Sequence, residues 1–129
     1  MKTWSKLSEQ VLKCAHNVSY GLGSGFLEKV YEKALCVELT RTNVPFQCQR
    51  QFVICYKGQD VGSYVADIVV DDRLIIEWKA LSCFSKEHDA QVMNYLKASG
   101  ITVGLLLNFG TSKLGIRRIV WNDDDNNNI

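Results

Sequence analysis

Two short segments carry charge where the surrounding pattern calls for apolar residues. Asp67 interrupts the run from Tyr64 to Val70, and Glu77 and Lys79 interrupt the run that begins Leu74-Ile75-Ile76. An unpaired carboxylate inside a core costs several kcal/mol, on the order of the whole stability of a small domain. One compensation is a sheet face open to water, where Glu77 and Lys79 make a weak i, i+2 pair worth roughly 0 to 1 kcal/mol. The other is chemistry. Two carboxylates side by side repel unless a cation sits between them, and hard oxygen ligands favour Mg²⁺ or Mn²⁺. Glu77 and Lys79 share a face because strand side chains alternate. Asp67 joins them only if the intervening turn contains the odd loop Asp71-Asp72-Arg73, or a bulge. A two-residue loop of Asp71-Asp72 would set Asp67 opposite Ile76 and send the carboxylates to opposite faces. The odd loop or bulge is the expectation.

Two helices supply further candidates. Between about Phe26 and Thr42, apolar residues at 26, 27, 30, 31, 34 and 35 recur at helical spacing. Glu28 sits at the edge of that stripe, and Lys29 and Lys33 point away from it. Glu38 rivals Glu28 but falls where the stripe is ending. Between Lys86 and about Ala98, His88, Gln91 and Tyr95 lie along one helix edge at i, i+3 and i+7. Each also has an ordinary reading: His88 as a first-turn residue, Gln91 as a solvated side chain, Tyr95 as a core aromatic with its hydroxyl at the surface.

These residues are spread over eight segments. Ser8 to Ser19 reads as helix, with Val11, Leu12, Ala15 and Val18 on one face. Gly21-Leu22-Gly23-Ser24-Gly25 breaks it, and the second helix stops before Pro45, which disfavours helix in the preceding residue. Residues 46–56 read as a strand and 57–60 as a hairpin turn. Strands over 61–70 and 74–80 follow. Ser85 can cap the third helix, Gly100 ends it, and strands over 101–110 and 115–121 close the series. The order ααβββαββ points to an α/β fold, a central mixed β-sheet with helices packed on it.

Composition narrows the class. At 129 residues with 47% hydrophobic and 22% charged residues, the chain reads as one ordinary globular domain over 1–121. No apolar run approaches the ~20 residues needed to span a membrane, and the start lacks the apolar stretch of a secretory signal. The cysteines at 14, 36, 48, 55 and 83 suit neither a zinc site nor a disulfide framework. They are read as reduced core residues of a cytoplasmic protein. Residues 122–129, rich in Asp and Asn, are expected to form a disordered polar tail. Without Asp123, Asp124 and Asp125, 15 basic residues face 11 acidic ones, a mild +4 that neither supports nor excludes a phosphate-rich partner.

Together these residues resemble the PD-(D/E)XK nuclease superfamily, whose core order is αβββαβ. Asp67, nine residues, then Glu77-Trp78-Lys79 is similar to its central motif, with Ala66 where a Pro often precedes the Asp. Gln91 to Tyr95 resembles the Q-x-x-x-Y element of its exonuclease-like branch. Gly25 to Tyr31, "GFLEKVY", is similar to the defining motif of the small bacterial GxxExxY proteins, and "HDAQVMNYLKASG" and "GLLLNFG" resemble other segments of that family. The resemblance implies a restriction-endonuclease-like core. It implies that Asp67, Glu77 and the Trp78 carbonyl bind Mg²⁺ or Mn²⁺, with Glu28 as an additional or water-mediated ligand. The metal would acidify bound water and offset charge on the phosphoryl oxygens. Lys79 would orient the nucleophile or stabilise the pentacoordinate transition state, Gln91 would position water or a phosphate, and Tyr95 would brace the helix edge.

The implied reaction is hydrolysis of phosphodiester bonds in DNA, in preference to RNA. Lys29, Lys33, Lys86, Lys113, Arg117 and Arg118 are the candidate phosphate contacts, although as a group such residues are more often a solvated surface. A homodimer or partner subunit would add grip on a duplex. Two rivals stand beside this reading: a non-catalytic nucleic-acid- or protein-binding module on the same fold, and a hydrolase of small phosphoesters.

Overall fold

The computed structural model describes residues 5–121, so the tail expected over 122–129 lies outside the described residues. Eight elements follow the expected order: α1 (Lys6–Leu22), α2 (Glu28–Arg41), β1 (Phe46–Tyr56), β2 (Gln59–Val70), β3 (Leu74–Lys79), α3 (Lys86–Ser99), β4 (Val103–Asn108) and β5 (Gly115–Val120). The first helix begins earlier than its apolar pattern suggests because Ser5 caps it, its side chain accepting from the Ser8 N–H at 3.1 Å. At α3, the Nδ1 of His88 accepts the Ser85 N–H at 2.9 Å. His88 therefore closes the helix start, as its ordinary reading allowed.

The strands form one sheet in the order β1-β2-β3-β4-β5. Neighbours are antiparallel except β3 and β4, which are parallel and joined through α3. A parallel pair needs such a crossover, whereas β1 and β2 need only a tight turn. That turn is Lys57-Gly58, both at positive φ (50° and 79°), the hand that matches strand twist. The expected four-residue turn shrinks accordingly, and Gln59 and Asp60 join β2.

One layer packs on each face. Leu7, Val11, Val18, Tyr31, Leu35 and Leu39 of α1 and α2 meet Ile68, Val70, Ile76, Trp78, Leu105 and Leu107. On the other face, Val92 and Leu96 of α3 meet Tyr64, Ala66, Val69, Ile75, Leu106 and Ile119. As the middle strand, β3 is covered on both sides, and Leu74 to Trp78 are all buried.

Two expectations need correction. The buried stripe of α2 is Tyr31, Glu32, Leu35 and Leu39, whereas Phe26, Leu27 and Val30 are exposed. Phe26 and Leu27 precede the helix, so they do not begin its apolar repeat. The cysteines do not form a core set either: Cys14 is buried, Cys36 half-buried, and Cys48, Cys55 and Cys83 exposed. Cys48 and Cys55 lie on β1, an edge strand, and Cys83 lies in the loop before α3.

Candidate active site

The turn between β2 and β3 decides where the acidic groups go. Val70 pairs with Leu74, Val69 with Ile75 and Ile68 with Ile76, leaving the three-residue loop Asp71-Asp72-Arg73. Asp71 and Asp72 both take positive φ, and the Arg73 N–H donates to the Val70 carbonyl at 2.9 Å. The same register carries Asp67 opposite Glu77, the odd-loop outcome. The ladder ends at Ile68 and Ile76, where the two carboxylates take over the hydrogen bonding. The Asp67 N–H donates to Glu77 Oε2 at 3.0 Å, and the Trp78 N–H donates to Asp67 Oδ2 at 3.2 Å. Each carboxylate is thus held by the backbone of the opposite strand.

β2 also changes face here. Tyr64 and Ala66 pack on the α3 side while Ile68 and Val70 pack on the α1–α2 side, although all four have the same parity. Opposite Asp67, between the pairs Cys48–Ile68 and Arg50–Ala66, Gln49 of β1 takes φ 55°. The sheet therefore twists sharply at the level of Asp67, leaving its carboxylate half-buried at a fork rather than sealed in a layer.

The electrostatics follow from that position. Burial first, and the charge of Asp67 second, push the Glu77 carboxyl from its ordinary 4.5 up to about 8. Burial also pushes Asp67 upward, and the Lys79 ammonium draws both the other way. Tyr95 is raised by burial and then by the charges of Glu77 and Asp67, while the Gln91 side chain draws it the other way. Asp67, Glu77, Lys79 and the Gln91–Tyr95 edge therefore share one electrostatic neighbourhood. Tyr95 stacks on Tyr64 with ring centroids 3.8 Å apart, Tyr64 stacks on Phe52, and the Tyr64 hydroxyl donates to the Tyr95 carbonyl at 2.9 Å. Those contacts fix α3 against the twisted half of the β1–β2 hairpin.

Glu28 reaches the end of the same strand, its Oε2 accepting the Ala80 N–H at 3.2 Å. Its placement explains the spacing from Gly25 to Tyr31. Gly25 has φ 110°, a conformation that L side chains rarely adopt. The buried Tyr31 hydroxyl donates to the Gly23 carbonyl at 2.7 Å and accepts the Phe26 N–H at 3.1 Å. The loop so pinned starts α2 at Glu28. Glu38, the rival, accepts from Asn17 Nδ2 at 3.0 Å and ties α2 to α1 instead.

The candidate phosphate contacts are dispersed. Lys29 pairs with Glu32 at 3.1 Å, and Lys33, Lys86 and Lys113 are exposed. Arg117 pairs with Asp89 of α3 and lies over the Phe84 ring. Arg118, next on β5, turns to the opposite face by strand alternation. These two arginines do not form one track.

A sequence model of the PD-(D/E)XK nuclease superfamily matches residues 5–119. The chain belongs to that superfamily. No curated protein and no solved structure matches it. PD-(D/E)XK nucleases generally depend on a divalent metal and act on nucleic acid, and the mixed sheet with helices on both faces agrees with the restriction-endonuclease-like fold. No helix among the described residues is long and apolar enough to cross a membrane.

Three residues of this PD-(D/E)XK chain escaped the sequence reading. Glu32 is only 8% exposed, takes a bond from Gln49 Nε2 at 2.9 Å, and adds its charge to the field at Asp67. It follows Tyr31 in the stripe Tyr31-Leu35-Leu39, a signal available had the helix start been placed at 28. Asn108, buried at the end of β4, accepts from the Leu81 and Gly110 N–H groups through Oδ1 and donates to the Leu81 carbonyl through Nδ2. Gly110 passes so near that a Cβ there would lie 2.4 Å from the Leu81 backbone. Asn108 and Gly110 together hold the chain just past Lys79.

Proposed function

We propose that this chain is a divalent-cation-dependent phosphodiesterase that cleaves DNA. The observation that supports it best is the convergence of Asp67 and Glu77 across the strand fork, with Lys79 on the same face of β3. The donor set fits a hard cation, because a buried and a half-buried carboxylate held across the same fork are costly to ionise together without one. Among the described residues, no group of three or more His, Cys, Asp or Glu side chains could hold a metal. An ion would therefore rest on Asp67, Glu77, the Trp78 carbonyl, water and substrate oxygens, with Glu28, engaged at Ala80, acting through water. When bound, a Mg²⁺ or Mn²⁺ ion supplies Lewis acidity toward water and the phosphoryl group.

The protein's own groups account for the remaining steps. Lys79, fixed by β3 and by the clamp at Leu81, presents its ammonium to the attacking water or to the charge that grows on the phosphoryl oxygens. Gln91 donates to water or to a phosphate oxygen, and Tyr95, stacked on Tyr64, braces the helix edge. A depression of about 380 Å³ lined by Gly25, Phe26, Leu27, Glu28, Ala80 and Gly110 adjoins the site and gives the substrate a place to lie. Lys29, Lys33 and Lys86 are separate candidates for phosphate contacts and not a lining of that depression.

A second reading draws on the crossed hydrogen bonds. Because each carboxylate is already satisfied by the opposite strand, the pair can act as a clasp in a non-catalytic nucleic-acid- or protein-binding module. Cleavage of labelled single- and double-stranded DNA with Mg²⁺ or Mn²⁺, comparing wild type with Glu77→Ala and Lys79→Ala, separates the two. Loss of cleavage in both variants supports the nuclease. No cleavage by wild type, together with no rise in melting temperature on adding Mn²⁺, supports the module. Cleavage that survives both substitutions refutes this site.

A further inference from the structure

Cys36 lies one helical turn beyond Glu32 on α2, and Cys48 immediately precedes Gln49 on β1. Although 12 positions apart in sequence, their sulfurs stand 2.9 Å from one another. That is within about 1 Å of the ~2.05 Å of a disulfide bond. Nothing in the proposed nuclease chemistry uses them. Their accessibility is unequal: Cys48 is exposed and Cys36 half-buried. Burial, and after it the Cys48 thiol, push Cys36 up to about 12. A peroxide therefore meets Cys48 first, and Cys36 waits behind it as the resolving partner.

We propose that Cys36 and Cys48 are an oxidant-responsive pair whose reversible disulfide fastens α2 to β1 beside Glu32 and Gln49. The chemistry balances with a peroxide as oxidant. The Cys48 sulfur attacks one peroxide oxygen, the O–O bond breaks, and the products are a sulfenic acid and water. The Cys36 sulfur then attacks the Cys48 sulfur. The S–O bond breaks, and the departing hydroxide leaves as water with the Cys36 proton. Two thiols lose two electrons and the peroxide becomes two waters. A dithiol reductant reverses the bond by exchange.

The bond would close the segment that contains Pro45 and the start of β1, and so restrict the unfolded chain. Oxidation should raise the melting temperature by on the order of 10 °C, an effect undone by dithiothreitol. The test uses the full chain, reduced, desalted and treated with hydrogen peroxide. Remaining thiols are alkylated and the protein is digested with trypsin without reduction. The expected product joins peptides Ala34–Arg41 and Thr42–Arg50, about 2 Da lighter than the two thiol peptides together. Cys48→Ser, at an exposed position, must abolish both that product and the rise in melting temperature, as must Cys36→Ser. Cys55→Ser and Cys83→Ser must leave both unchanged. The proposal is overturned if Cys36 and Cys48 both remain alkylatable, if Cys48 pairs with Cys55, Cys83 or another chain, or if the rise persists in Cys48→Ser. None of these readouts depends on nuclease activity.

Discussion

Glu77→Gln should stabilise the metal-free protein while removing its response to divalent cations. Folding moves the Glu77 carboxyl from 4.5 up to about 8. Between those values the folded state binds more protons than the unfolded state, so stability is full below about 4.5 and declines as pH rises toward 8. At about pH 7, with each unit equal to about 1.4 kcal/mol, the penalty is on the order of 3 kcal/mol. The rise in Asp67 acts in the same direction. A glutamine keeps the shape of the side chain. Its oxygen can still accept the Asp67 N–H, and it sets no second charge opposite Asp67. Relief of the penalty should raise the melting temperature by roughly 10 °C for a domain of this size. The assay is thermal unfolding in EDTA at several values between about pH 5 and pH 8.5, repeated with Mg²⁺ or Mn²⁺. Wild type should melt lower as pH rises and regain stability with the cation near pH 8, whereas the variant should keep only the weaker pH dependence of Asp67 and gain little from the cation. A flat wild-type profile, or a variant that melts well below wild type near pH 7 in EDTA, would refute this account of Glu77.

Other substitutions separate the roles around the site. Lys79→Met should lower the rate of DNA cleavage by about 10²-fold or more, yet leave the stabilisation by Mn²⁺ intact, since the ammonium acts on charge in the reaction and not on the cation. Loss of the Mn²⁺ stabilisation along with cleavage would count against that division. Asn108→Ala removes three hydrogen bonds and strands the Leu81 backbone. It should cost about 2–3 kcal/mol in chemical denaturation and lower cleavage by loosening the chain after Lys79. Tyr31→Phe keeps the stack on Phe109, with ring centroids 4.8 Å apart, but loses both hydroxyl bonds to the Gly23–Phe26 loop. It should cost about 1–2 kcal/mol and speed amide exchange over residues 23–27. Unchanged exchange there would mean the loop is held by something other than the hydroxyl.

The sequence by itself determined the order and kind of the elements, because apolar period, glycines and the lone proline act locally. It also set Glu77 and Lys79 on one face and reduced the fate of Asp67 to the loop length, odd loop or bulge against two-residue loop, a choice that the pairing of Val70 with Leu74 then decided. The tertiary structure alone decided the rest, because burial belongs to a pair of surfaces and not to a stretch of chain. Only packing shows that Phe26 and Leu27 are outside, and that β2 changes face at Asp67 under the twist at Gln49. Only packing brings Asn108 and Gly110 against Leu81, and sets the sulfur of Cys36 beside that of Cys48. Those contacts join residues far apart in sequence through a sheet whose middle strand is covered on both sides, and no local period encodes where such layers meet.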